Sequence, residues 1–403
     1  MTLPLTVGSE IARPSASIAT QATLRKKLPG LDGLRALAAL GVTFHHFEQT
    51  RFVFGLPNLW TYAVVQRLGG LCVSLFFVLS GFLITLLLRK EYLEHGRIAI
   101  GSFYMRRILR VWPLYFVITI IGFFILPFLP AYAIPGFLPV LDADYWRKLA
   151  LYVAFMPHVE ASFFAPVNYA GVLWSVGVEE WFYLGWPFLL LATRGKLWLV
   201  LPVIVAFFLF GRHEFREGPA YFLFSQIRFD HMAIGAMGAI LATTRSTLLN
   251  ALMRVAFTRR AQVIAIVTIV AAAILLKLGM RLGLLADIVF PLSFLWIIVD
   301  VSMNPNSIIN LEHPLLRWLG KLSYGIYCFN WITLVTALVV MRWAVPDLSG
   351  WVAHVFHFAF GLLLTVGVAA LSYRCLEAPF LSWKVRSFSS TEPQVLRGDP
   401  VGV

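Results

Sequence analysis

Residues 31–47 read LDGLRALAALGVTFHHF. The run is mostly apolar, with Asp32 and Arg35 near its start and His45 and His46 near its end. It predicts a helix entering a membrane. From Arg35 to His46 is about three whole turns at about 100° per residue, so the two share one face. They lie about 16 Å apart along the axis, near half the thickness of a hydrocarbon core. His45 is turned from that face by about 80°. An ionisable side chain at such depth points to function. A histidine hydrogen-bonded inside a helix bundle is the structural alternative.

Outward from this run, the same apolar character fills the chain. Of 403 residues, 59% are hydrophobic and 13% charged, where a soluble domain carries about 25% charged. The net charge is +13. In a membrane protein such an excess marks cytoplasmic loops facing anionic lipid rather than nucleic acid, and a phosphorylated substrate inside the cell is the second possibility. Cys72, Cys328 and Cys375 match no redox or zinc spacing, so neither a disulfide nor a metal is expected. Residues 1–28 are polar, then basic, without the apolar core of a signal peptide. They and residues 387–403 are expected to be disordered cytoplasmic tails around a transmembrane domain at 29–386.

Ten apolar segments predict an all-α, polytopic membrane helix bundle of about ten transmembrane helices. They centre on residues 34–47, 70–88, 111–129, 173–192, 198–210, 227–241, 261–276, 284–301, 322–341 and 352–371. With the N-terminus inside, alternation places 23 of the 33 Lys and Arg on the inner side, so both termini are expected in the cytoplasm. The segment 130–171 then lies outside. No repeat of about 20–50 residues and no matched pair of interrupted helices is visible, which weakens a transporter reading.

Six segments carry charge, hydroxyls or small residues in a pattern. In SFYMRRILRVWPLYF, residues 102–116, Arg106, Arg107 and Arg110 fall on one broad helix face. Guanidiniums so placed suit a polyphosphate through bidentate hydrogen bonds; an anchor for lipid headgroups is the bland alternative. In WSVGVEEWFYLGWPF, residues 174–188, Ser175, Glu179 and Tyr183 recur every four residues, with Glu180 beside Glu179. A buried carboxylate needs a partner. Glu179 could orient His46 as a general base, or pair with Arg228 as a structural ion pair. Ser80-Gly81 favours close helix packing and lacks the pattern of a nucleophile elbow. Arg228 and Asp230 at the mouth of the sixth segment, with Gly235 and Ala239 behind them, are read as structural. So are Tyr324 and Tyr327 in the ninth, and a local Arg374–Glu377 pair after the tenth.

In this order the motifs resemble the bacterial membrane-bound acyltransferase family 3, which includes polysaccharide and lipopolysaccharide O-acetylases. The similarity runs from residue 31 to about 380. Arg35 and His46 match the family's arginine and histidine, and Arg106, Arg107 and Arg110 its RRxxR motif. Ser80, Gly81 and Phe82 match its SGF. Trp174, Ser175, Glu179, Glu180, Phe182, Tyr183 and Pro187 match WSLxxEExFYLxxP, with Val176 in place of leucine. Ser323, Tyr324 and Tyr327 match its late SYxxYLxH, but Asn330 stands where many members have histidine.

The resemblance implies transfer of an acyl group, commonly acetyl from acetyl-CoA as co-substrate, to a hydroxyl. It implies a catalytic role for His46, and donor binding by Arg35, Arg106, Arg107 and Arg110. Glu179 is expected to assist His46, with Trp174, Ser175, Glu180, Tyr183, Arg228, Asp230 and Tyr324 in support. The expected partners are membrane lipid, acyl-CoA and a saccharide or glycolipid acceptor, at the bacterial cytoplasmic (inner) membrane. Members also modify small molecules such as macrolides, and a flippase for acyl groups or lipid-linked sugars is the rival from another class.

Overall fold

The computed structural model describes residues 28–382, apart from 137–141, 195, 216, 245–246 and 278–283. The two predicted tails lie outside the described residues, Leu28 excepted. Among the described residues every regular element is helical. In chain order these are α1 (Leu31–Val53), α2 (Ala63–His95), α3 (Ile100–Ile120), α4 (Tyr145–Val153), α5 (Pro157–Phe163), α6 (Trp174–Ala192) and α7 (Leu201–Glu214). There follow α8 (Gly218–Gln226), α9 (Phe229–Thr243), α10 (Thr247–Ala256), α11 (Arg259–Lys277), α12 (Leu284–Met303), α13 (Pro314–Ala344) and α14 (Gly350–Ser372).

All ten apolar segments are helical, in α1, α2, α3, α6, α7, α9, α11, α12, α13 and α14. Among the described residues six stretches are long and apolar enough to cross a membrane: Ala63–His95, Ile100–Phe128, Leu197–Glu214, Ala286–Met303, Pro314–Ala344 and Gly350–Ser382. The first segment differs from these for a physical reason. Helix α1 carries Asp32, Arg35, Glu48 and Arg51, and buries Ala36, Ala39, Val42, Thr43 and Glu48 against protein. It packs chiefly on α13 and α2. Helix α9 has 15 residues, about 22 Å of rise against a core of about 30 Å.

Helix α2 is the other organising element, packed along α9, α1 and α12. Its approach to α9 is set by two glycines. A Cβ on Gly81 would lie 2.0 Å from the Met232 carbonyl oxygen, and one on Gly235 would lie 2.0 Å from that of Val78. Ser80-Gly81 and Gly235 therefore form the small-residue contact expected of them.

The described residues of the segment 130–171 are packed rather than forming an open loop. They include α4 and α5, and bury Tyr152, Val167 and Ala170 completely. Two ionisable residues are buried with them. Lys148 Nζ pairs with Asp142 at 2.5 Å. Glu160 is fully buried and accepts the Val167 N–H at 2.8 Å.

Candidate functional site

Five helices meet around a cavity of about 110 Å³. Arg35 enters it from α1, Ser80 from α2, Arg107 and Arg110 from α3, Ser175, Glu179 and Tyr183 from α6, and Tyr324 and Tyr327 from α13. The four-residue spacing on α6 does what helix geometry requires: all three side chains reach one space. Contributions from five separate helices cannot be explained by any one amphipathic stripe.

Glu179 is held by two hydroxyls. Ser80 Oγ donates to its Oε1 at 2.7 Å and Tyr183 OH to its Oε2 at 3.0 Å. The Arg107 guanidinium lies over the Tyr183 ring at 5.5 Å, with its Nε lacking a hydrogen-bond partner. Arg35 keeps an ion pair with Asp32 at 3.4 Å while standing in the field of Arg107 and Arg110. Three guanidiniums therefore share the cavity with one lining carboxylate. Glu180 is turned elsewhere, accepting from Trp112 Nε1 at 3.0 Å. The excess positive charge, with donors to spare, suits an anionic ligand rich in acceptors.

Arg106 does not line the cavity. The face expected to carry three arginines splits, because the adjacent residues 106 and 107 point about 100° apart. Trp174 also stands back, edge-on to Phe77 at 6.1 Å. Tyr324 lines the cavity and donates to the Val111 carbonyl at 2.9 Å. Ser175 Oγ and Tyr327 OH are 2.7 Å apart. Since Tyr327 OH already donates to the Val172 carbonyl at 3.0 Å, the serine is the donor in that pair.

The His46 imidazole is half-buried and sits C-terminal to Arg35 along α1. Its partner is not Glu179. Asn330 Oδ1 lies 2.6 Å from His46 Nδ1. The orientation of that amide is fixed, because Asn330 Nδ2 donates to the Tyr327 carbonyl at 2.8 Å and a carbonyl can only accept. His46 Nδ1 is therefore the protonated nitrogen, and Nε2 keeps its lone pair. The Trp331 ring packs edge-on to the imidazole at 5.2 Å. His45 faces away: its Nδ1 donates to the Val65 carbonyl at 2.8 Å, and its ring fills the space above Gly69.

Arg228 and Asp230 belong to a separate network. Arg228 donates to Asp287 Oδ1 at 2.9 Å, and Arg212 to Asp287 Oδ2 at 3.1 Å. Arg212 also pairs with buried Asp230. The alternative Glu179–Arg228 pair is thus replaced by an Arg228–Asp287 pair, 59 residues apart and beyond the reach of any helical spacing. Likewise Glu377 is not locally paired with Arg374; it is buried, with Arg110 as its charged neighbour. Asn330 was visible in sequence only as a departure from a motif. Its position in that motif was the available signal.

Fold and site together describe a multi-pass membrane helix bundle enclosing a basic cavity, with a half-buried imidazole held in one tautomer. The chain matches the Acyltransferase domain family over residues 28–374, and it belongs to that family. It is 28% identical over 403 aligned residues to "Putative O-acetyltransferase SAR0937" of Staphylococcus aureus (strain MRSA252), covering 92% of this chain and 60% of that protein. It is 25% identical to "Putative peptidoglycan O-acetyltransferase YrhL" of Bacillus subtilis (strain 168), covering 90% and 56%. To the O-acetyltransferase OatA of Staphylococcus aureus (strain NCTC 8325 / PS 47) it is 24% identical, covering 90% and 58%. The chain thus spans about three fifths of the length of these relatives. No solved structure matches it.

Proposed function

We propose that the chain is an integral-membrane O-acyltransferase moving an acyl group, acetyl in the first instance, from acyl-CoA to a hydroxyl of an envelope or exported glycan. The observation that carries this reading is the pairing of His46 with Asn330, which leaves Nε2 free as a base, together with the basic cavity along the same helix. The names of the relatives support acetyl as the group and an envelope glycan as the acceptor.

In this scheme Arg35, Arg107 and Arg110 hold the diphosphate of coenzyme A. A space of about 110 Å³ is well under the roughly 300–1,000 Å³ of pockets that enclose drug-sized ligands. It takes one part of the donor, and the nucleotide stays at the mouth, within reach of Arg106. From Arg35 to His46 is about 16 Å along α1, a distance the extended pantetheine arm covers. His46 Nε2 takes the proton of the acceptor hydroxyl as its oxygen attacks the thioester carbonyl. The carbon–sulfur bond breaks, and the imidazolium returns the proton to the departing thiolate. General-base assistance of this kind contributes about a hundredfold to ten-thousandfold. Glu179 acts on the donor side, offsetting the guanidiniums and fixing the Ser80 and Tyr183 hydroxyls.

The ten apolar segments support about ten crossings, the lysine and arginine bias supports both termini in the cytoplasm, and the bacterial sources of the relatives support residence in the bacterial cytoplasmic (inner) membrane. The test is to incubate the purified chain with labelled acetyl-CoA and a glycan. Ester formation is expected, and is lost in His46→Ala. A transporter or flippase makes no ester with either form.

A further inference from the structure

A second cavity, about 590 Å³, opens where α2, α7, α8, α9 and α12 converge. On α2 it touches residues 66–74, whereas the basic cavity touches residues 73–84. It therefore lies toward the opposite end of α2 from Arg107 and Arg110. Its charged residues sit at helix ends. Arg67 is within two turns of the start of α2, Arg212 in the last turn of α7, Arg228 just before α9, and Asp287 in the first turn of α12. Helices α2, α7 and α12 are among the stretches long and apolar enough to cross a membrane. The ends of such helices lie at the level of lipid headgroups, which is then the depth of this cavity. In the proposed topology those headgroups belong to the outer leaflet.

Of the guanidiniums that line it, one is unmatched. Arg212 and Arg228 pair with Asp230 and Asp287. Arg67 is exposed and makes no hydrogen bond or ion pair among the described residues. The buried wall also holds an unused donor. Arg228 reaches His231 Nε2 at 3.3 Å. A guanidinium can only donate, so that nitrogen accepts and the proton sits on Nδ1. His231 is 1% exposed, and its Nδ1 has no partner. A buried donor without an acceptor is costly unless a ligand or water supplies one. The rim, by contrast, is apolar. Phe222 and Leu292, next to the lining residues Tyr221 and Pro291, are half-exposed. No residue of α8 is buried, so the described residues leave that helix without full cover on any face.

We infer that this cavity seats an anionic phospholipid by its phosphodiester. One negative charge meets the one unmatched guanidinium, and Arg67 can grip two phosphate oxygens at once. An oxygen of the headgroup supplies the acceptor that His231 Nδ1 lacks. The acyl chains leave over Phe222 and Leu292 and cover α8. A soluble phosphodiester would gain the polar contacts without the apolar ones, and a neutral sugar would leave Arg67 uncompensated. The volume falls within the roughly 300–1,000 Å³ of small-molecule sites.

The test is equilibrium binding to the purified full chain in a neutral detergent, read by native mass spectrometry. The probes are dioleoylphosphatidylglycerol, dioleoylphosphatidylethanolamine (the same chains with no net charge), glycerophosphoglycerol (the headgroup alone) and chitobiose. Phosphatidylglycerol is expected to bind about tenfold tighter or more than phosphatidylethanolamine, as a charged hydrogen bond provides. It should exceed glycerophosphoglycerol and chitobiose by at least as much. Arg67→Gln should bring phosphatidylglycerol to the level of phosphatidylethanolamine, and the exposed, unpaired site leaves the fold intact. Gly70 lines the cavity on α2, and a Cβ there would meet nothing within 4 Å. Gly70→Leu therefore fills the space with every charge kept, and should abolish the preference for phosphatidylglycerol. Size-exclusion chromatography checks that both variants are folded. Equal binding of the two lipids, glycerophosphoglycerol binding as tightly as phosphatidylglycerol, chitobiose binding tighter than either lipid, or an unchanged preference in either folded variant overturns the inference.

Discussion

Replacing Asn330 by leucine removes the acceptor of the His46 Nδ1–H. Leucine is close in size and fully apolar, so packing around a residue that is 0% exposed changes little. What changes is the imidazole. Without Oδ1, nothing favours the Nδ1–H tautomer, and the ring is free to turn. A hydrogen bond of a buried group is worth about 1–3 kcal/mol. At about 1.4 kcal/mol per tenfold, that predicts a loss of about 5- to 150-fold in kcat. The KM for acyl-CoA should stay within about twofold, because the arginines that hold the donor are untouched. His46→Ala should cost more, about a hundredfold to ten-thousandfold. Asn330→Asp keeps an oxygen opposite Nδ1 and should retain most of the activity. The assay is transfer of labelled acetyl to a glycan by purified protein, with folding checked by size-exclusion chromatography. If Asn330→Leu is folded and turns over at the wild-type rate, the assignment of the tautomer and of His46 as base is wrong.

Three further outcomes follow from particular contacts. Arg107→Gln and Arg110→Gln should each raise the KM for acyl-CoA about tenfold or more through loss of charged hydrogen bonds, whereas Arg106→Gln, outside the cavity, should change it far less. Steady-state kinetics of the three variants separate these cases, and equal effects would refute the split of that arginine face. Gly81→Ala should sharply lower thermal stability in detergent, since the added Cβ would meet backbone 2.0 Å away and backbone cannot rotate aside; an unchanged melting temperature would refute the close crossing of α2 and α9. Burial pushes the Glu160 carboxyl up to about 8 from 4.5, opposed by the Val167 N–H and Lys148. A raised acid pKa gives stability that is complete below about 4.5 and lost as pH rises through about 8. Melting temperature should therefore fall between pH 5 and 9 more steeply in the wild type than in Glu160→Gln, and parallel curves would show that the carboxyl is not buried as described.

Much of the site follows from local periodicity. Ser175, Glu179 and Tyr183 share a face because four residues make nearly one turn, and they do meet in one cavity. The ten apolar segments are all helical, since only internal hydrogen bonding satisfies a backbone in lipid. The same reasoning placed Arg106 with Arg107 and Arg110, and it failed there because a broad face is wider than the cavity it borders. It also failed for the partners of isolated charges. His46 and Asn330 are 284 residues apart, and Arg228 and Asp287 are 59 apart.

The sequence by itself determined the class: a helical membrane bundle, its apolar lengths, its basic excess, and which side chains on any one helix look the same way. Those are properties of single segments, governed by hydropathy and a period of 3.6. Only the tertiary structure decided which faces oppose one another. Helix rotation and register come from packing between distant residues, as where Gly81 of α2 rests on the Met232 backbone of α9. No local rule carries that information, so the amide that fixes the His46 proton, and the Arg212–Asp287–Arg228 network, became visible only once the helices were assembled.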